Sequence, residues 1–393
     1  MSDEALRVLC LNAGSSSLKF ALWSLAGDRE QKLVEGAAEA LGSGSDKARL
    51  WFKAEGGERE DVQRALPDIA AACDAVFELT KKRRWPEPHA LGHRVVHGGA
   101  TYAAPTRIDP ELLSNLRELV PLAPLHLPGA LAALDAARAR YAELPQVACF
   151  DTAFHQRMPE LAHRLPLPRA LWDKGVRRYG FHGLSFEYVL HHLGAAGQGR
   201  VIIAHLGNGA SLAAVSGGRP RDTSMGFSPT SGIMMGTRSG DLDPGLIVYL
   251  LTEQGYDVAA LERLVNRESG LLGVSGTSAD VKTLLDRRAA DPHAAQALEL
   301  FCYHVQKQIG AYAAALGGVD TLVFTGGIGE RAAFVRATVC EPLAFLGVDL
   351  DRAANERGDE HVSRGACSVR VVATDEDLMI ARHTRDVIAS STS

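Results

Sequence analysis

Apolar and polar positions along the chain fall into blocks whose period changes several times. Residues Arg7 to Leu11 (RVLCL) form an apolar run that passes through a Gly/Ser turn into a second run, where Leu18, Phe20 and Leu22 alternate with their neighbours. Period two on both sides of a short turn predicts a β-hairpin. A polar, Gly-rich stretch near Gly42 to Asp61 precedes a helical stretch ending at about Thr80, and HALGHRVVHGG then predicts a strand closed by a double glycine. A helix around Pro110 to Val120, an Ala/Leu-rich helix from Gly129 to Tyr141 and the buried strand QVACFD follow. Everything up to that strand reads as one α/β unit, so the first domain is expected to span 1–150 and the second 151–376.

The second half repeats the first half's grammar. VIIAHLGNGASLAAV is again strand, Gly turn and strand, matching in outline the opening VLCLNAGSSSLKFAL, which predicts an internal repeat of two related halves. Asp243-Pro244 reads as a helix start. The run from Pro292 to Leu316, apolar at Leu298, Phe301, Val305 and Ile309, predicts a long helix, which delivers the chain to the buried strand, Gly turn and helix of TLVFTGGIGERAAF. The final stretch, DEDLMIARHTRDVI, is amphipathic with acids in its first turn, where the helix dipole favours them. It is expected to pack back onto the first domain, adding roughly 377–393 to it.

Composition narrows the function without naming it. The chain has 393 residues, enough for two cores, 46% hydrophobic and 23% charged, as a globular protein requires. A net charge of -5 argues against a nucleic-acid partner. No apolar run approaches bilayer length. The acidic opening MSDEALRVLCLNAG lacks the basic and apolar regions of a signal peptide. Six scattered cysteines without a CxxC pair read as reduced thiols, so a cytoplasmic location is expected and no membrane partner.

Candidate chemistry concentrates in Gly-rich segments. Arg221 to Pro244, RDTSMGFSPTSGIMMGTRSGDLDP, is broken by Gly226, Gly232, Gly236 and Gly240, and carries the guanidinium of Arg238. Bare backbone beside one forked cation suits an anion. NAGSSSLK (Asn12 to Lys19), HLGNGAS (His205 to Ser211) and GGIGER (Gly326 to Arg331) are three further Gly turns after buried strands, each offering backbone N–H groups of the kind a nucleotide phosphate needs. No Walker motif occurs, because no Gly-Lys pair exists and a strand follows the first turn. Gly327, Gly329 and Ala332 fit GxGxxA, yet a lone match is weak, and a turn approaching a nucleotide phosphate or adenosine is the favoured reading. His93 and His97 lie on a strand, where i and i+4 are too far apart for a zinc pair. The serine turns lack a GxSxG elbow.

The motifs NAGSSSLKF, HRVVHGG, CFDTAFHQ, RRYGFHGLS, HLGNGAS, DTSMGF with MMGTRSGDLDP, FTGGIGE and TDEDLMIAR stand in the order and spacing of the acetate kinase family, which the chain resembles over almost its whole length. The resemblance implies the two-domain actin-like fold, a duplicated ribonuclease H-like α/β architecture shared with sugar kinases and Hsp70, with the active-site cleft between the domains. It implies reversible transfer of the ATP γ-phosphoryl group to acetate, giving acetyl phosphate and ADP, with Mg2+ (Mn2+ as a substitute), by a homodimer.

Carried over motif by motif, Asp151, His182 and Arg238 resemble the catalytic residues. Arg94 would grip the acetate carboxylate, and Val96, Leu125, Phe181 and Pro229 would surround its methyl group. Lys19, His205, Leu206, Gly207, Asn208, Gly209, Asp280, Val281, Lys282, Gly327, Ile328, Gly329, Glu330 and Arg331 correspond to nucleotide contacts. Asn12 and Glu376 look like the magnesium residues. The chain departs from the family at Arg157, at SPTSG, at Val281-Lys282 and at Arg331, and two of these positions lie where the base and ribose should sit. Two other readings stand beside this one: a kinase for propionate or another short carboxylate, and a non-catalytic nucleotide switch like the actin or Hsp70 relatives.

Overall fold

A computed structural model describes residues 5–14, 16–41 and 48–391. Ser15 of the first Gly/Ser turn, residues 42–47 of the Gly-rich stretch and residues 392–393 of the closing segment lie outside the described residues. The chain divides into two compact units, one formed by Met1–Phe154 with Asp375–Ser393 and the other by His155–Thr374.

The first unit is built on eight strands: β1 (Leu6–Ala13), β2 (Leu18–Ala26), β3 (Arg29–Glu39), β4 (Arg49–Ala54), β5 (Arg59–Val62), β6 (Ala90–Val95), β7 (Thr106–Arg107) and β8 (Gln146–Phe150). Their order is β5-β4-β3-β2-β1-β6-β8-β7. The predicted hairpin is β1 with β2, in a register that sets Asn12 opposite Lys19. β6 runs parallel to β1, and β8 parallel to β6. Alternation along β1 sends Leu9 and Leu11 to one face and Cys10 to the other. The first face joins Leu18, Phe20 and Phe52 in a core closed by the helices Ile69–Lys82 and Leu127–Arg140, which supply Ala72, Cys73, Val76, Phe77, Ala133 and Ala137. Asp68 starts the first of these helices by accepting from the Ala71 N–H.

The opposite face carries the helix Glu376–Ser391, which packs over β1, β6 and β8. Cys10 donates to the Asp377 carbonyl at 3.3 Å, tying strand to helix. The approach is close enough to require glycine at position 92, since a Cβ there would collide with Thr384 Oγ1 and Ile380 Cγ2.

The second unit has five strands: β9 (Arg200–Leu206), β10 (Ala210–Ser216), β11 (Arg219–Thr223), β12 (Thr321–Thr325) and β13 (Ser368–Val371), in the order β11-β10-β9-β12-β13. β9, β10 and β11 are an antiparallel meander, while β12 runs parallel to β9 and β13 parallel to β12. The same plan occurs in the first unit as β3-β2-β1-β6-β8, so the sequence repeat is a repeat of topology. The long predicted helix spans Pro292–Leu316, starts at the N-cap Asp291 and buries Leu298, Phe301, Val305 and Ile309 against β9 and β10.

Between Thr223 and Pro244 the chain forms neither helix nor strand. Its order comes from burial of Met225, Ile233, Met234 and Met235 and from a reciprocal pair of bonds at Gly232 and Asp241. Gly232 has φ +92°, a conformation that favours glycine. Among the described residues no helix is long and apolar enough to cross a membrane.

Candidate active site

Several of the candidate residues lie at the carboxyl ends of the central strands in each unit, where open α/β sheets leave backbone groups and side chains available. In the first unit, Asn12 ends β1, Arg94 lies opposite it near the end of β6, and Asp151 follows β8 with its N–H on the Val95 carbonyl. Glu376 opens the helix that covers the other face of that sheet.

These four residues form one hydrogen-bonded chain. Arg94 Nε donates to Asp151 Oδ1 and Oδ2 at 3.0 and 3.1 Å, and its Nη2 donates to Oδ2. Arg94 Nη1 donates to Asn12 Oδ1 at 3.2 Å, and Asn12 Nδ2 donates to Glu376 Oε2 at 3.2 Å. Asp151 is 1% exposed. Burial opposes the Arg94 charge, but Asp151 and then Glu376 outweigh it and raise the guanidinium above its usual range. Breaking a buried pair of this kind costs about 3 to 5 kcal/mol, so each partner holds the other in place.

Next to Glu376 the side chain of Asp377 has an Oδ1 that is buried without a hydrogen-bond partner. Burial, followed by the charges of Asp375 and Glu376, pushes its carboxyl up to about 7. Among the described residues there is no group of three or more His, Cys, Asp or Glu side chains that could hold a metal ion. Mg2+ keeps most of its waters and takes one or two carboxylates together with substrate phosphates. Asn12 and Glu376, beside an anionic corner with an orphan oxygen, fit such a role. Lys19 is exposed on β2 across from Asn12. Val96 is buried and Leu125 half-buried in this unit.

In the second unit, His182 is a non-glycine residue at φ +60° that opens the helix Gly183–Leu193. Its Nδ1 meets Ser211 Oγ at 2.8 Å. Its ring stacks on that of His205 with centroids 4.3 Å apart, and His205 Nδ1 meets Ser185 Oγ at 2.8 Å. Two serines thus fix two imidazoles by the same nitrogen. The sequence reading counted Ser211 among the donors of the HLGNGAS turn without its His182 partner, and it assigned no role to Ser185, one helical turn after His182.

Arg238 donates through Nη1 to the Pro229 carbonyl at 2.7 Å. A Cβ built on Gly209 would sit 3.3 Å from Arg238 Nη2 and 3.3 Å from His182 Nε2. Guanidinium and imidazole therefore converge on one bare stretch of backbone. The Gly207 to Gly209 turn at the end of β9 is held from behind, because the Gly236 N–H donates to the Asn208 carbonyl at 3.2 Å.

Gly327 to Arg331 lie in the short helix Gly326–Arg331 after β12. A Cβ on Gly327 would meet only Arg331 Nη2, at 3.7 Å, so packing does not demand glycine there. Glu330 Oε1 accepts from the Thr374 N–H at 3.3 Å. Asp280 caps the helix Val281–Arg287, its Oδ1 accepting from the Thr283 N–H and Oγ1, both at 2.8 Å. Val281 is buried and Lys282 exposed. Phe181 and Pro229 are buried in this unit.

Two sheets of one strand plan, with glycine turns after their central strands, define the class, a two-domain actin-like α/β protein. The Acetokinase family profile matches residues 7–382, and the chain belongs to that family. It is 48% identical over 401 residues to an acetate kinase of Rhodopseudomonas palustris, covering 98% of each sequence. The crystal structure of Porphyromonas gingivalis acetate kinase matches with a TM-score of 0.88 at 39% identity, over 98% of this chain and 100% of that one. A propionate kinase from Francisella tularensis matches with a TM-score of 0.90 at 36% identity, over 97% of this chain and 100% of that one.

Proposed function

We propose that this protein is an acetate kinase: it transfers the γ-phosphoryl group of ATP to acetate, reversibly, producing acetyl phosphate and ADP. The observation that carries the reading is the convergence of Arg238 and His182 over Gly209. Phosphoryl transfer needs positive charge and hydrogen-bond donors around three equatorial oxygens, and little covalent help from the protein. An acetate oxygen forms the new bond to the γ-phosphorus as the bond to the β–γ bridging oxygen breaks and the electron pair leaves with ADP. Acetate is already ionised at neutral pH, so no proton must be removed.

Asp151 accordingly acts as a positioning group. Its two oxygens orient Arg94, whose remaining N–H positions receive the acetate carboxylate; Val96 and Leu125 in the first unit, and Phe181 and Pro229 in the second, are the apolar candidates for its methyl group. The segments at Lys19, His205 to Gly209, Asp280 to Lys282 and Gly327 to Arg331 take the nucleotide. Asn12 and Glu376 would hold Mg2+, which would offset phosphate charge.

A hydroxamate assay for the acyl phosphate, run with acetate, propionate and butyrate, tests the activity. Acetate is expected to give the largest kcat/KM. The 36%-identical propionate kinase supports a second reading, a propionate or other short-carboxylate kinase, and faster turnover of propionate would establish it. One methylene changes such ratios by about 10- to 200-fold at most, so the comparison must be quantitative. ATP hydrolysis indifferent to every acceptor would instead indicate a nucleotide switch.

We further propose a cytoplasmic homodimer. The helix Pro244–Thr252 is apolar in Leu246, Val248, Tyr249 and Leu251, yet none of its residues is buried. Exposed apolar surface of that kind marks an interface, and a second copy of the chain is the partner it suits.

A further inference from the structure

Arg336 is the largest fully buried side chain described, at 1% exposure. Its Nε donates to Asn355 Oδ1 at 2.7 Å, its Nη1 to the Gly329 and Glu330 carbonyls at 2.8 Å each, and its Nη2 to the Asn355 carbonyl at 2.8 Å. Asn355 Nδ2 in turn donates to the Ala333 carbonyl at 2.9 Å. None of the acceptors is a carboxylate. A cation taken out of water without an anion is costly, and a well-packed apolar side chain would serve packing better. What offsets the cost is a set of carbonyl oxygens at a helix C-terminus, where backbone dipoles leave partial negative charge.

The carbonyls chosen are informative. Gly329 and Glu330 close the helix that contains Gly327 to Arg331, the segment proposed above to meet the nucleotide. The same segment is secured on another side by Glu330 Oε1 and the Thr374 N–H. Gly327, by contrast, faces open space that a side chain could fill. The guanidinium therefore grips the rear of a turn whose front is bare.

We propose that Arg336, oriented by Asn355, is a positioning residue for nucleotide binding: it fixes the Gly327 to Arg331 segment in the conformation that receives ATP. This rests on the nucleotide reading of that segment. Lysine at 336 keeps the charge but cannot span the four acceptors, so charge alone does not restore the arrangement.

The test compares Arg336→Met, Arg336→Lys, Asn355→Ala and Gly327→Val by steady-state kinetics and thermal unfolding, at a temperature where each variant is folded. Arg336→Met is expected to raise the KM for ATP by about tenfold or more while the KM for acetate stays within about twofold, a split that general destabilisation does not produce. Arg336→Lys should recover only part of the loss, and Asn355→Ala should move the ATP KM in the same direction by less. A fall in Tm with both KM values unchanged, or raised together, overturns the proposal. Should Arg336→Met fail to fold, Asn355→Ala decides by the same criterion. Gly327→Val separates the two ideas, since a Cβ at 327 would meet only Arg331 Nη2, at 3.7 Å. If it leaves the ATP KM unchanged, the nucleotide reading of the segment fails. If it raises the ATP KM while the Arg336 and Asn355 variants do not, only the positioning role fails.

Discussion

At the scale of single residues, Gly209 is where the chemistry of the second unit is most exposed to test. Arg238 Nη2 and His182 Nε2 approach the same point from different segments, and only a missing side chain leaves that point open. Arg238→Ala should lower kcat by about 10²- to 10³-fold, the usual effect of deleting one donor to developing charge, with the ATP KM nearly unchanged. Near-normal turnover would remove Arg238 from the transition state. Ser211→Ala should cost less, because Ser211 only orients the imidazole. Arg94, Asp151, His182 and Arg238 were named from motifs matched to the family, whereas the Arg94–Asp151 pair and the approach of His182 and Arg238 to Gly209 are visible only in the structure. Ser185 and Arg336 were given no role, and Ser211 was read as a turn donor rather than as the partner of His182. A serine in a polar turn and an arginine in AAFVRATVC look ordinary until the contacts across tens of residues are known.

Elements were more legible than their arrangement. The helix Pro292–Leu316 follows from its apolar spacing and its Asp-Pro start, and both hairpins follow from glycine turns between alternating runs. The pairing of β1 with β6, and of β9 with β12, joins strands far apart in sequence, and local pattern carries no information about it. Gly92 illustrates the same limit, since its role depends on a helix almost 300 positions away. Gly92→Ala should destabilise the first unit by roughly 1 to 3 kcal/mol through overpacking against Ile380 and Thr384. Thr384→Ala added to it should recover part of that loss, a non-additivity that a double-mutant cycle would detect. Purely additive effects would mean the strand and helix do not meet there.

At the scale of the whole molecule, three buried histidines make acid sensitivity predictable. Burial lowers His93, His97 and His155 to about 4 each. In the unfolded chain they titrate near 6.5, so between about pH 6.5 and 4 the unfolded state binds more protons and stability falls as pH falls. Each contributes up to about 1.4 kcal/mol per pH unit in that window. His93→Gln, which keeps an amide beside Gln146, should reduce the slope of stability against pH by about one proton, and an unchanged slope would show that His93 charges as readily in the folded protein. Assembly is tested separately. Val248→Glu, at a position 59% exposed, should convert a dimer to a monomer in sedimentation equilibrium. A wild-type chain that sediments as a monomer would discard the interface.

The helix Glu376–Ser391 belongs to the first unit although the entire second unit precedes it in the chain. A ribosome therefore releases β1, β6 and β8 long before it makes the helix that seals them. Asn12 must wait for Glu376, and Cys10 for the Asp377 carbonyl, until translation is nearly over. The unit encoded second is thus free to mature first. A nascent chain arrested shortly before codon 376 should display an unsealed apolar sheet, the kind of surface that chaperones recognise, and should leave Asn12 without its Glu376 acceptor.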